Sequence, residues 1–233
     1  MQAEDRPIHF STELIFPPFQ LKIPALQSLY YELSQVPAAA YDSADFSMPG
    51  PPRFYTRRGT KAQSIALFLP DRVVLIEEWV EIPLSRFLTK MLEVASRVLS
   101  GFEIGAFVAQ TATIRTTFSL THFDDAKTFL LDHVCGQEGQ IDLYFGRLLG
   151  TAGLRFVMPR TEDHPGELHV IIESYRHNQR EVFVETKGIY SGEQITADSL
   201  DSLRDNMERV RTFISHHVYP FLQQYDAAPK GNR

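Results

Sequence analysis

Two stretches place hydroxyls and guanidinium groups at alternate positions. Thr111, Thr113, Arg115 and Thr117 recur at every second residue, and Arg147, Thr151 and Arg155 at every fourth. On extended backbone, residues i, i+2 and i+4 share a face, so each set lines one side of a strand. If the strands join with these faces together, Thr113, Arg115, Arg147 and Arg155 form one surface carrying three planar cations. A guanidinium holds a carboxylate or phosphate through two parallel N–H bonds, so the expected chemistry is capture of a small anionic ligand. The plainer expectation is a solvated face on which these arginines pair with Glu173, Glu181 or Glu185, since opposite charges across strands are ordinary sheet chemistry.

The other constellations are weaker. His164, Glu167 and His169 lie close together, but Pro165-Gly166 makes a turn between them and the helical His-Glu-x-x-His spacing of a zinc site is missing. His216 and His217 are neighbours, about 100° apart on a helix. Metal ligation is therefore not expected. Cys135 is the single cysteine. Its neighbour His133, two residues away, faces elsewhere on a helix, and Cys135 reads as packing. There is no Gly-x-Ser-x-Gly, and Gly146, Gly150 and Gly153 lack the Lys-Ser/Thr ending of a phosphate loop. No catalytic residue and no cofactor is expected. Arg53-Phe-Tyr-Thr-Arg57-Arg58-Gly-Thr-Lys61 interleaves cations with aromatics, as single-strand nucleic-acid binders do. With 23 basic and 29 acidic side chains the net charge is −6, which offers no long-range attraction to a polyanion. The segment reads instead as an edge strand guarded by cations, and nucleic acid is not an expected partner.

The positioning elements follow from periodicity. His9 to Phe16 is a strand stopped by Pro17-Pro18. Pro24 opens a helix with Leu26, Leu29, Tyr30 and Leu33 on one face. Residues 37–53, rich in proline, form the least structured stretch. Arg53–Arg58, Ser64–Leu69 and Val73–Val80 read as strands, and Pro83 opens a helix to Gly101 with a wide apolar stripe. Ile104 to Leu120 is a strand too long to be free of a bulge. Its even positions are mostly apolar and its odd ones carry the hydroxyls and Arg115. A short helix starts at Asp124 or Asp125 and ends at Gly136. Leu143 to Met158 alternates again, placing Arg147 and Arg155 on one side of a strand. A hairpin joins Glu167–Tyr175 to Arg180–Tyr190. Thr196 or Asp198 caps a last helix lined by Leu200, Leu203, Met207, Val210, Ile214, Val218 and Phe221, kinked or ended at Pro220.

These elements predict an α+β fold: an antiparallel, curved sheet with long helices packed on one face. The order β-α-β-β-β-α occurs twice, in residues 1–102 and 103–226, which suggests an internal duplication of order and spacing. The halves stand alone or form one continuous domain, and 227–233 is expected to be a disordered tail. The order resembles the helix-on-curved-sheet arrangement of the TATA-binding-protein fold class, a likeness of topology that carries no function. Val73-Val74-Leu75-Ile76-Glu77-Glu78-Trp79, the helix after it, the Ala112-Thr113-Ile114-Arg115 strand and the Leu200–Phe221 helix together resemble the layout of a sporadically distributed bacterial family of uncharacterised proteins of this length. That resemblance spans most of the chain, carries no signature motif and implies no activity.

Hydrophobic residues make up 43% of the 233 and charged residues 22%, which is ordinary globular usage with no membrane span. One unpaired cysteine suits a reducing compartment, and no secretory signal is visible at the start. The expected protein is soluble, bacterial and cytoplasmic. It is a non-enzymatic interaction or structural protein, working as a homodimer through the near-heptad stripe of its last helix. The alternative is a module that binds an anionic small molecule in a pocket reaching Thr113, Arg115, Arg147 and Arg155.

Overall fold

A computed structural model describes residues 6–47, 49–79, 81–137 and 139–227; the expected tail at 228–233 lies outside the described residues. The chain builds nine strands: β1 (Arg6–Ile15), β2 (Ser43–Asp45), β3 (Arg53–Arg58), β4 (Ala62–Leu69), β5 (Arg72–Glu78), β6 (Phe107–Ser119), β7 (Gly153–Met158), β8 (Gly166–Ser174) and β9 (Glu181–Ile195). They form one open antiparallel sheet in the order β2-β3-β4-β5-β1-β6-β9-β8-β7. β1 and β6 pair along their length at the centre, so the two halves share a single sheet. Outward from that seam the order repeats: first, last, middle, then outer strand of each half. The expected repeat of order is thus present in the topology, with β2 an addition to the first half.

The central strands alternate their side chains, and the parity facing the core is mostly apolar. Phe10 and Leu14, Phe68 and Ala66, Val73 and Leu75, Ala112 and Ile114, Val170 and Ile172, Val182 and Val184 are buried on the same side. Three helices cover that side. α1 (Ile23–Ser34) starts with proline in its first turn and buries Leu26, Leu29 and Leu33. α2 (Leu84–Gly101) buries Phe87, Leu88, Met91, Val94, Ala95, Val98 and Leu99. α1 touches α2, and α2 touches the helix Asp201–Phe213 of the second half. The core is therefore one layer between sheet and helices, and among the described residues no helix packs on the opposite sheet face.

The second half departs from expectation between β6 and β7. Asp125 caps α3 (Ala126–Thr128), its carboxylate accepting the Thr128 N–H at 2.7 Å. The chain continues through a wide turn at Phe129–Val134, where Phe129 and Leu130 are buried. Residues expected to begin a strand at Leu143 instead form α4 (Gln140–Phe145), bracketed by Gly139 and Gly146, both with left-handed φ, 75° and 60°. Glycine adopts that conformation without a side-chain clash, so both ends of this short helix are set locally. Only Gly153–Met158 of the expected Leu143–Met158 strand is extended.

The last helix agrees with the sequence. Thr196 and Ser199 form a reciprocal capping box, α5 follows (Asp201–Phe213), then a widened stretch Ile214–Val218 and α6 (Tyr219–Tyr225). Pro220 has no N–H to return to the His216 carbonyl, and the ladder widens ahead of it. Of the expected stripe, Leu203, Met207, Val210, Ile214 and Val218 are buried in the protein's own core, and Leu200 and Phe221 are half-buried against it. Among the described residues no helix is long and apolar enough to cross a membrane.

Candidate functional site

The helix-free face carries the sequence-predicted polar residues. Along β6, Thr111, Thr113, Arg115 and Thr117 project to it, opposite Gln110, Ala112, Ile114 and Thr116 on the core side. Register then builds a row across eight strands: Arg57, Gln63, Glu78, His9, Arg115, Glu185, Ile171 and Arg155 stand directly opposite one another in turn. Arg115 and Arg155 thus share a face and a row, separated by three strand spacings, about 14 Å at ~4.8 Å each. Thr113 lies one row away, between Ser11 and Lys187.

Charges alternate along the row and pair. The Arg115 Nε donates to the Glu185 Oε2 at 2.5 Å, as the plainer reading of this face requires. The Gln63 amide donates to Glu78, and the Glu78 carboxylate stands 4.0 Å from the His9 Nδ1. His9 is buried and its Nδ1 makes no hydrogen bond. Burial pushes its pKa down to about 4, and the Arg115 charge adds to the fall, while Glu78 and Glu185 oppose it. His9 is therefore neutral at pH 7. At one end of the face Trp79 adopts a left-handed φ of 50°. Its indole meets Lys61, whose Nζ lies 5.0 Å from the ring, and His177 of the β8–β9 turn, 6.5 Å away. An aromatic–cation group so joins the two halves over the rim.

The four predicted ligand residues fare differently. Thr113 is on the face but covered by its neighbours. Arg115 is on the face and occupied by Glu185. Arg155 is on the face, exposed, and makes no ion pair among the described residues. Arg147 is not on the sheet: it lies in the exposed loop after α4, because Gly146 ends that helix before the strand begins. No cleft found among the described residues reaches the expected set Thr113, Arg115, Arg147 and Arg155. One of about 340 Å³ opens at the start of α5 between Arg160, Arg209, Asp205 and Glu193, and mixes both signs of charge. Others lie between α2 and α5 beside Pro83 and Arg211, and by Thr151 and Arg176. None of these three reaches Thr113, Arg115 or Arg155.

A second cluster escaped the sequence reading. On the core side of the first half the Lys90 Nζ donates to the Ser64 Oγ at 2.5 Å and to the Glu77 Oε1 at 3.3 Å. It also lies 3.8 Å from the centre of the Tyr41 ring. Burial holds the Lys90 ammonium below the usual lysine range, against the opposing pull of Glu77. Burial, with the Glu77 charge, holds the Tyr41 phenol well above the usual range. A serine hydroxyl on a lysine amine is the arrangement of an activated nucleophile. Here Ser64, Glu77, Lys90 and Tyr41 are all buried, so no substrate reaches the hydroxyl and the cluster holds α2 to β4 and β5. The signal was readable: Lys90 falls on the α2 face of Phe87, Met91 and Val94, and Glu77 on the β5 face of Val73 and Leu75.

The longest run of exposed large apolar side chains lies between β6 and β8 in sequence. Leu143, Tyr144 and Phe145 of α4 and Leu148 after it are 67–86% exposed, and Phe156 and Val157 of β7 are 41% and 51% exposed. Among the described residues no group of three or more His, Cys, Asp or Glu gathers as for a metal ion. Compared with known proteins, the chain matches no family model and no curated sequence.

Proposed function

We propose that this chain is a non-enzymatic interaction protein that works as a homodimer, joined through the surface of α4 and β7. The observation that carries the reading is the set Leu143, Tyr144, Phe145, Leu148, Phe156 and Val157 left in solvent. Single exposed apolar residues are ordinary, but a run of large ones within fifteen residues marks an association surface. Aromatic side chains are enriched in such surfaces and dominate their energetics. The buried state of the Ser64–Lys90 group supports a role without catalysis.

Light scattering coupled to gel filtration tests this. The expected mass is twice the 26.6 kDa of the chain, and Phe145→Asp with Leu148→Asp shifts it to the monomer. A strict monomer at concentrations up to about 100 μM, a range that detects dissociation constants weaker than micromolar, would count decisively against it.

A second reading rests on the cross-strand row. Arg115 and Arg155 share it, and Arg155 is exposed without an ion pair among the described residues, so a small carboxylate or phosphate compound has an unengaged cation to meet on this face. Isothermal titration with inorganic phosphate and with succinate, against the Arg155→Ala variant, separates the two: heat that disappears in the variant supports the anion site.

A further inference from the structure

The two outer strands of the sheet differ in what they offer at the edge. In β7 the Ala152 carbonyl accepts the Ser174 N–H at 2.9 Å, so residue 152 directs its backbone groups at β8. Antiparallel pairs alternate between hydrogen-bonded and non-bonded, so Leu154, Phe156 and Met158 also point inward. Gly153, Arg155 and Val157 then direct their N–H and C=O groups away from the sheet. The close approach at Gly153 agrees: a Cβ built there would stand 3.4 Å from the Glu173 Cα, as in a non-bonded pair. β7 thus presents unpaired backbone groups beside the exposed Phe156 and Val157, with no proline inside the strand.

We propose that β7 pairs with β7 of a second copy, antiparallel about a two-fold axis at Phe156, and merges two nine-stranded sheets into one. This deepens the dimer reading above and rests on it. The strand is its own complement in that register. Facing residues must share a face, which leaves four arrangements near the middle of the strand, and the one centred on Val157 sets Pro159, with no N–H to donate, opposite Arg155. Centring on Arg155 sets two guanidinium groups directly opposite, which is unfavourable. Centring on Leu154 covers a side chain already packed on the core. Centring on Phe156 sets Phe156 against Phe156 and each Arg155 against Val157 of the other copy, and it covers the two large apolar side chains β7 leaves exposed. The outward groups of Arg155 and Val157 then make four backbone hydrogen bonds. An axis normal to the sheet keeps all helices on one side. It also places the two Arg155 side chains on the helix-free face as diagonal neighbours, about 7–8 Å apart. Each copy thereby supplies half of a paired-arginine surface.

The test uses the full chain and sedimentation velocity. Val157→Pro removes an N–H that the monomer's own sheet does not use. The expected result is a folded protein by circular dichroism with its dimer weakened at least about 100-fold. Val157→Lys, which makes no demand on the backbone, is expected to weaken it at least about 10-fold. In a Cys135→Ser background, Phe156→Cys is expected to form a covalent dimer on oxidation, since non-bonded facing Cα atoms lie about 4.5 Å apart, within disulfide reach. Leu154→Cys is expected to form none. A dimer that survives both Val157 variants but falls apart with Leu148→Asp overturns the edge pairing and leaves the dimer reading standing. A monomeric wild type overturns both. A cross-link at Leu154→Cys in place of Phe156→Cys overturns the register.

Discussion

The two halves of the sheet repeat one strand order yet spend their crossover segments in opposite ways. Between β1 and β3 the first half lays down α1, which sinks three leucines into the core. Between β6 and β7 the second half buries Phe129 and Leu130 and then leaves α4 with its large side chains in solvent. The first half also encloses a charged group, Lys90 with Glu77, that holds helix to sheet. Equal topology therefore does not mean equal work. One half buries its crossover helix within the chain, and the other leaves large apolar side chains of its crossover in solvent.

The comparison breaks most sharply at the enclosed charges. Glu77→Ala leaves the Lys90 ammonium buried without its carboxylate and is expected to cost about 3–5 kcal/mol in urea unfolding. Glu77→Gln combined with Lys90→Met recovers most of it. If the single change costs under about 1 kcal/mol, the cluster is not the clamp of the first half. The crossover segments come next. Leu33→Ala in α1 is expected to lose about 2–5 kcal/mol.

The seam between the halves should respond to acid. His9 has a folded pKa of about 4 against 6.5 in the unfolded chain, so on acidification the unfolded state takes up its proton first. The stability His9 contributes is full above about pH 6.5 and falls away towards pH 4, by about 3 kcal/mol. His9→Leu is expected to flatten that part of the profile measured by thermal melting, and an unchanged profile would assign the acid limb to other groups. The smallest effect is the counterpart of Leu33. Leu148→Ala is expected to change the monomer's unfolding free energy by less than about 0.5 kcal/mol, although it loosens the dimer. A large loss would mean that Leu148 is packed after all.

Much of the architecture was legible because side-chain direction follows from backbone period. β6 declares both its faces, and Arg115 sits where parity puts it. What parity lacks is register: nothing local in the sequence says that Arg115 faces His9 on one side and Glu185 on the other, since those pairings join strands far apart in the chain. The segment from Leu143 to Met158 misled because its alternation mimics a strand, while the deciding feature is two glycines with left-handed φ that enclose one helical turn and a half. Arg147 was lost from the face for that reason. Gln110 shows the reverse case. It interrupts the apolar series of β6, and the structure puts it at the seam, fully buried, donating to the Thr12 hydroxyl at 3.1 Å and to the Leu203 carbonyl at 3.2 Å, and accepting from the Asn206 amide at 2.9 Å. A polar residue on a greasy face was the visible mark of a junction.

The far margin of the sheet sets a limit on growth. β2 is three residues long, its Asp45 is engaged by Arg53 at 2.9 Å, and prolines 49, 51 and 52 follow it. Short, charged margins resist strand addition. Head-to-tail joining of β7 to β2 would repeat without closing and yield a fibre. With this margin sealed, the pairing proposed for β7 would join like to like and stop at two chains.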